Sequence, residues 1–431
     1  MESHDSPGVV DSKFGTLGKA WVGFLSLIIF GGMVAWYQQL QTGLIVTGMR
    51  NVFSWGLYIM LFVLFVGLSA GGLIISSAPK FFHSDRYESL ARFGVLLSLG
   101  CITVAGLLIL PDIGRPARIY QFFVTPDFRS PMVWDFAIVV LYGLFNVWYL
   151  WLLTRRDLAA RGSALALGTE DSAEGRERDK KVAFWSAAIA LPLAVMLHSV
   201  TGWIFATQVG RGSWFSPLVA PTFIVKALVS GLGLLLVTAI IADRFTNFEF
   251  ETDLRTRLGK SLGVFLAVHV VYLLAAERLP HAWAANFDFW AITSGFLIGE
   301  TSFFWLWTIP GGAIPILLMA IPSIRKQAWA VFTAGALAVF GVIFEGVRLI
   351  FEGYQAVNIN DAPGITTGEY AGMGSNIWAQ SGVYTPTLIE LAITAGLTAV
   401  GALIVTIGFY YLPIQRRDMV KKSIADGGSD E

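Results

Sequence analysis

The chain has 431 residues, of which 55% are hydrophobic and only 14% charged, with a mean hydropathy of +0.64 and no net charge at pH 7. A soluble domain carries roughly 25% charged residues, which excludes that class, and zero net charge suggests no nucleic-acid partner. The single cysteine, Cys101, can form no intrachain disulfide, and alone it can hold neither an iron–sulfur cluster nor structural zinc.

Residues 1–19 are polar, and Lys13 and Lys19 precede the first apolar run. No small-residue cleavage site follows that run, so it reads as a retained first span rather than a signal peptide. Ten apolar runs follow one another, at about 20–38, 52–77, 90–111, 132–153, 182–207, 218–242, 259–276, 296–320, 328–352 and 387–413. A run of about 20 apolar residues crosses about 30 Å of hydrocarbon as a helix. The short alternating segments of a membrane barrel do not occur. The expected fold is therefore an all-α polytopic membrane protein with about ten spans. Trp21, Trp36, Trp55, Trp134, Trp203, Trp329 and Tyr410 lie near span ends, as an interfacial aromatic belt would.

Lys and Arg set the orientation. One side carries only Arg50, Arg115, Arg118, Arg129, Arg211 and Arg278, while most of the remaining basic residues fall on the other. The positive-inside rule puts the basic side, with both termini, in the cytoplasm. Residues 157–181 are polar and mixed in charge, which suggests a mobile cytoplasmic linker. Residues 353–386 form a long outer loop rich in Gly, Asn and aromatics, suited to a lid or a partner contact. Gly67 and Gly71 fit the small-xxx-small pattern of tight helix packing.

The stretch Leu110–Asp135 holds three Arg and three Asp at the edge of two spans and should face outside. Asp112 and Arg115 are three apart, so at a helix end they could pair, either to close the loop or to shape a pocket. Asp135 lies about one turn inside the fourth span. A carboxylate at that place costs about 2.5–3.5 kcal/mol and is usually paired or functional. His198 falls at comparable depth in the fifth span, and imidazole can exchange a proton near neutral pH. Asn51, Trp55 and Tyr58 have one-turn spacing and would share one face of the second span. In the second half Lys226, His269, Tyr272, Glu277, Glu300, Glu345 and Arg348 repeat the theme. Glu345 and Arg348 read as a bracing pair; with Lys226 and Glu300 they could instead form a proton route.

The segments WGLYIMLFVLFVGLSAGG, PDIGRPAR, SPMVWD and LPLAVMLHSVTGWIFATQVGRGSW, in that order, resemble the NrfD/polysulfide-reductase-PsrC superfamily. The layout is most similar to its larger branch, with the DsrP, HmeC and HybB types and the ActC-type subunits of alternative complex III. The resemblance implies a single integral membrane domain over 1–413, with a cytoplasmic tail at 414–431. It implies two four-helix bundles, spans 2–5 (52–207) and 6–9 (218–352), flanked by spans 1 and 10. The first bundle would hold menaquinol or ubiquinol near the outer face of a prokaryotic cytoplasmic membrane. His198, Asp135 and Asp112 would be the reacting groups, with Asn51, Trp55, Tyr58, Arg115 and Trp134 around the quinone. The chain would hold no metal or haem. It would pass electrons to a four-cluster ferredoxin-like iron–sulfur subunit, serving a catalytic molybdopterin or hydrogenase subunit. Two other readings stay open: a secondary transporter, and a haem b cytochrome ligated by His198 and His269.

Overall fold

In the computed structural model the described residues are 15–50, 53–82, 88–169, 172–209, 211, 214–246, 248–283, 303–355 and 384–414. Helices account for the regular structure among them: α1 (Thr16–Thr42), α2 (Leu57–Phe82), α3 (Glu88–Asp112), α4 (Gln121–Val124), α5 (Pro131–Ala160), α6 (Ala173–Ala206), α7 (Val219–Phe245), α8 (Thr252–Trp283), α9 (Phe303–Thr308), α10 (Ile314–Ala320), α11 (Pro322–Arg325), α12 (Ala328–Gln355) and α13 (Leu388–Tyr411). A π-helical turn, Ile309–Ala313, joins α9 to α10. Eight of these helices are long and apolar enough to cross a membrane, and Leu57–Leu73 and Ile309–Ala320 are shorter apolar helices. The chain is thus a multi-pass helical membrane protein. Asn51, Glu300 and most of the 353–386 loop lie outside the described residues, as does the Glu277 side chain.

The helices pack in neighbourhoods. Helix α2 lies against α3 and α6, and α5 closes the group by packing on the same two. Helix α7 leans on α2 and α6 from one side and on α8 and α12 from the other; α9, α10 and the π turn fill in against α12. Helices α1 and α13 pair with each other, and α13 rests on α3. On α1 only Leu25, Gly32, Ala35 and Gln39 are buried, a narrow seam at helical spacing, while Phe24, Leu27, Phe30, Met33 and Tyr37 face outward. Such an apolar exterior suits a helix that faces lipid.

The contact between α2 and α7 depends on the glycine read from the sequence. A Cβ placed on Gly71 would lie 2.2 Å from the Cα of Gly231, so the two backbones touch directly. Gly67 is less constrained, its nearest neighbour being the Ser230 hydroxyl at 3.2 Å. Close backbone approach of this kind gives dispersion contact where no hydrophobic drive exists between helices.

At the end of the bundle opposite Asp135, buried ion pairs tie the helices. Arg92 of α3 meets Asp157 of α5 at 2.7 Å and also donates to the Pro413 carbonyl. Asp179 of α6 accepts from both Arg155 and Arg156. The 157–181 stretch accordingly differs from the expected loose linker. Its first residues complete α5, and from Ala173 onward it is α6, capped by the Ser172 hydroxyl. Asp157 and Asp179 looked like solvated charge because their arginine partners lie on neighbouring helices, whereas Glu177 and Lys180 do pair at the surface.

Candidate functional site

The candidate site starts at the N-terminus of α5. Ser130 stands at the N-cap position and Pro131 begins the helix, its fixed φ suiting the first turn. One turn on, Asp135 is turned inward and is buried. Its Oδ1 lies 2.6 Å from the Thr201 Oγ1 of α6. The same Thr201 hydroxyl is 2.9 Å from the Leu197 carbonyl. A threonine has one hydroxyl proton. If Asp135 is ionised, Thr201 donates to it. If Asp135 is protonated, it donates to Thr201, which turns its own proton to Leu197. The geometry therefore accepts both protonation states of Asp135 without moving a heavy atom.

One turn before Thr201 on the same helix is His198, also buried. Its Nδ1 lies 2.7 Å from the Ala194 carbonyl, which fixes that nitrogen as the donor. The Nε2, on the side toward Val66 of α2, is buried and makes no hydrogen bond of good geometry. A buried nitrogen lone pair without a partner is uncommon in a folded interior and suits an incoming O–H donor. No hydrogen bond joins His198 to Asp135 or to Thr201; the two groups are neighbours only in that Thr201, which bonds Asp135, stands one turn after His198 on α6.

A second polar group lies where α1, α2, α3 and α13 meet. Gln39 of α1 donates to the Pro111 carbonyl at 2.8 Å and accepts from the Tyr58 hydroxyl at 2.6 Å. Asp112 is the next residue, and its Oδ1 is buried without a partner. The expected Asp112–Arg115 pair does not form: α3 ends at Asp112, Gly114 turns the chain at φ +70°, and Arg115 is exposed beyond it. Spacing of three brings side chains together only while the helix continues.

Trp55 and Tyr58 do not share a helical face, since α2 starts at Leu57. Trp55 precedes the helix and stacks on Trp214, with Phe205 at its edge, whereas Tyr58 is enclosed beside Gln39. The start of α2 is held by two tyrosines flanking the long loop. Tyr354 accepts from the Trp55 N–H, and Tyr384 accepts from the Leu57 N–H. These hydroxyls supply the acceptors that a helix N-terminus lacks. Tyr384 in turn donates to Glu390 of α13 at 2.6 Å. Burial, and then the Glu390 carboxylate, raise the Tyr384 phenol above its usual value, so it stays a donor. Glu390 also accepts from the backbone of Gly48 and Thr387. Sequence reading missed Gln39, Glu390, Tyr354 and Tyr384, although Thr387 followed by Glu390 is a capping-box signature and could have drawn attention. Trp134 is about half exposed, and its indole N–H donates to the Phe128 carbonyl.

In the other neighbourhood Glu345 of α12 is buried between Lys226 of α7, at 3.6 Å, and the His269 Nε2 of α8, at 3.0 Å. Three helices thus contribute one ionisable group each. The expected bracing pair is replaced: Glu345 takes partners from α7 and α8, and the Arg348 guanidinium lies over the Trp307 ring.

The family model for polysulphide reductase, NrfD, matches residues 45–358. A protein of Halobacterium salinarum, provisionally named as a membrane subunit of dimethyl sulfoxide reductase, is 70% identical over 97% of this chain and 96% of its own length. A selenate reductase subunit of Mesobacillus selenatarsenatis is 26% identical, covering 92% of this chain and 95% of its own. The Hdr-like menaquinol oxidoreductase integral membrane subunit of Archaeoglobus fulgidus is 28% identical, covering 90% and 91%. With a match over most of its length and helices built to cross a membrane, the chain belongs to the NrfD family.

Proposed function

We propose that this chain is the quinol-binding membrane subunit of a respiratory oxidoreductase, exchanging electrons between a menaquinone or ubiquinone pool and an iron–sulfur partner subunit. The observation that carries the reading is two buried polar groups on α5 and α6: Asp135, whose partner Thr201 serves either protonation state, and His198, one turn before Thr201, whose Nε2 makes no hydrogen bond. The names of the relatives, which include a menaquinol oxidoreductase subunit and reductase subunits, agree with it.

Oxidation of a quinol releases two protons and two electrons. In this reading the His198 Nε2 takes one proton from a quinol hydroxyl and Asp135 takes the other, while the two electrons leave one at a time through the partner's iron–sulfur clusters. Asp112, with Tyr58 behind it, forms the second polar wall. Arg115 stays outside the reacting set because it is exposed past the end of α3. Quinone reduction uses the same groups in reverse. The terminal chemistry belongs to another subunit, of molybdopterin or hydrogenase type. We further read the chain as ten spans in two four-helix bundles, with both termini in the cytoplasm and the quinol site toward the outside. The bias of basic residues supports that orientation.

The test is quinol-driven reduction of the iron–sulfur partner in the purified complex, followed by its optical or paramagnetic signal. Reduction on adding a menaquinol analogue is expected; an unresponsive cluster in an intact complex overturns the reading. Thr201→Val should lower turnover roughly tenfold, an effect of about 1.4 kcal/mol, near that of one hydrogen bond. It should also change the pH profile, because Asp135 loses the partner that serves both its states. An unchanged profile would remove Thr201 from the mechanism.

A further inference from the structure

A cavity of about 500 Å³ lies between the end of α1 and the chain that follows α3. Its walls include Leu44, Ile119 and Phe122, and its polar lining includes Arg115, Arg118 and Gln121. Two glycines with positive φ make the walls. Gly43, at φ +86°, ends α1, and Gly114, at φ +70°, ends the turn after α3. A Cβ on Gly114 would lie 3.0 Å from the Leu44 side chain, so the two turns abut.

Both arginines are exposed, and no acidic side chain among the described residues pairs with either. Arg129, in the same loop, is by contrast held by Asp127, with Nε–Oδ1 at 3.0 Å. Two guanidiniums without a counter-ion among the described residues, above apolar walls, are complementary to a phosphate group, which each can bind through two parallel hydrogen bonds.

The surroundings indicate where that phosphate comes from. Between the cavity and α5 the chain exposes Tyr120, Phe123, Val124 and Phe128, each more than half accessible. Large apolar side chains on a loop joining two spanning helices are stable where they dip into the headgroup boundary of a bilayer. Gly43 and Leu44, which directly follow α1, line the cavity, and α1 carries outward apolar side chains along which lipid chains would run.

We propose that this cavity binds the phosphate of an anionic membrane lipid through Arg115 and Arg118, with its apolar walls taking the adjoining glycerol and first chain carbons. The site is separate from the quinol reading and stands or falls without it.

Native mass spectrometry of the delipidated, detergent-purified protein tests it, with phosphatidylglycerol as the probe and a phosphate-free neutral glycolipid as the comparison. Arg115→Ala/Arg118→Ala should bind the tightest phosphatidylglycerol at least about tenfold more weakly, the effect expected on losing charge-assisted hydrogen bonds. Glycolipid binding should not change. Arg129→Ala should bind phosphatidylglycerol like the unaltered protein. Arg115→Lys/Arg118→Lys, which keeps the charge and loses the fork geometry, should fall between. Equal phosphatidylglycerol binding by the double alanine variant overturns the proposal, as does equal loss in Arg129→Ala. Displacement of the lipid by millimolar inorganic phosphate would overturn the lipid assignment and give the cavity to the free anion.

Discussion

Asp135→Asn should reduce quinol-coupled turnover by at least about a hundredfold while the complex still assembles. The substitution keeps size and shape, and the amide oxygen can still accept the Thr201 hydroxyl that now sits 2.6 Å from the carboxylate. What it loses is the ability to take up a proton. Positioned general acids and bases contribute roughly 10²–10⁴-fold, which sets the scale. His198→Gln should give a loss of the same order. The glutamine can return a hydrogen bond toward the Ala194 carbonyl, but it offers no basic nitrogen in place of the free Nε2. Quinol:acceptor turnover, measured beside co-purification of the iron–sulfur partner, checks both. Turnover near that of the unaltered protein in either variant would remove that residue from the reacting set. Loss of the partner would mean that the side chain holds the fold instead.

The second large effect concerns stability. Glu345→Ala removes the carboxylate that faces Lys226 at 3.6 Å and His269 at 3.0 Å. All three side chains are buried, so the lysine is left without a counter-charge. Removing one partner of a buried ion pair costs about 3–5 kcal/mol, whereas replacing the pair by apolar groups of similar size is often neutral. Glu345→Leu with Lys226→Met should therefore recover most of the stability lost in Glu345→Ala. Denaturation in detergent, followed through the single mutants and the double, measures this coupling. If the double mutant is as unstable as Glu345→Ala, pairing is not what holds α7, α8 and α12 together. A stable double mutant with normal turnover makes the cluster a brace. A stable double mutant with lost proton release supports the proton route through Lys226 and Glu345.

How far the sequence spoke for itself depends on whether the signal was local. Span positions follow from runs of apolar residues, because a helix in lipid must satisfy its backbone internally and present apolar side chains outward. Asp135 and His198 were legible for the same reason, since an ionisable group inside such a run is costly and seldom incidental. Helical spacing, in contrast, misled wherever the helix was assumed to continue. Asp112 and Arg115 part at Gly114, and Trp55 falls before the start of α2.

By itself, then, the sequence determined the class of molecule, a multi-pass helical membrane protein, and two of the polar side chains inside its apolar runs. Only the tertiary structure decided who meets whom. It set Thr201 between Asp135 and the Leu197 carbonyl, Gln39 against Tyr58, Glu390 beneath Tyr384, and Lys226 with His269 around Glu345. The physical reason is that hydropathy and period are properties of one helix, while a contact between helices depends on their relative rotation and depth. Those are fixed by packing, such as the touching backbones of Gly71 and Gly231, and no local pattern states them.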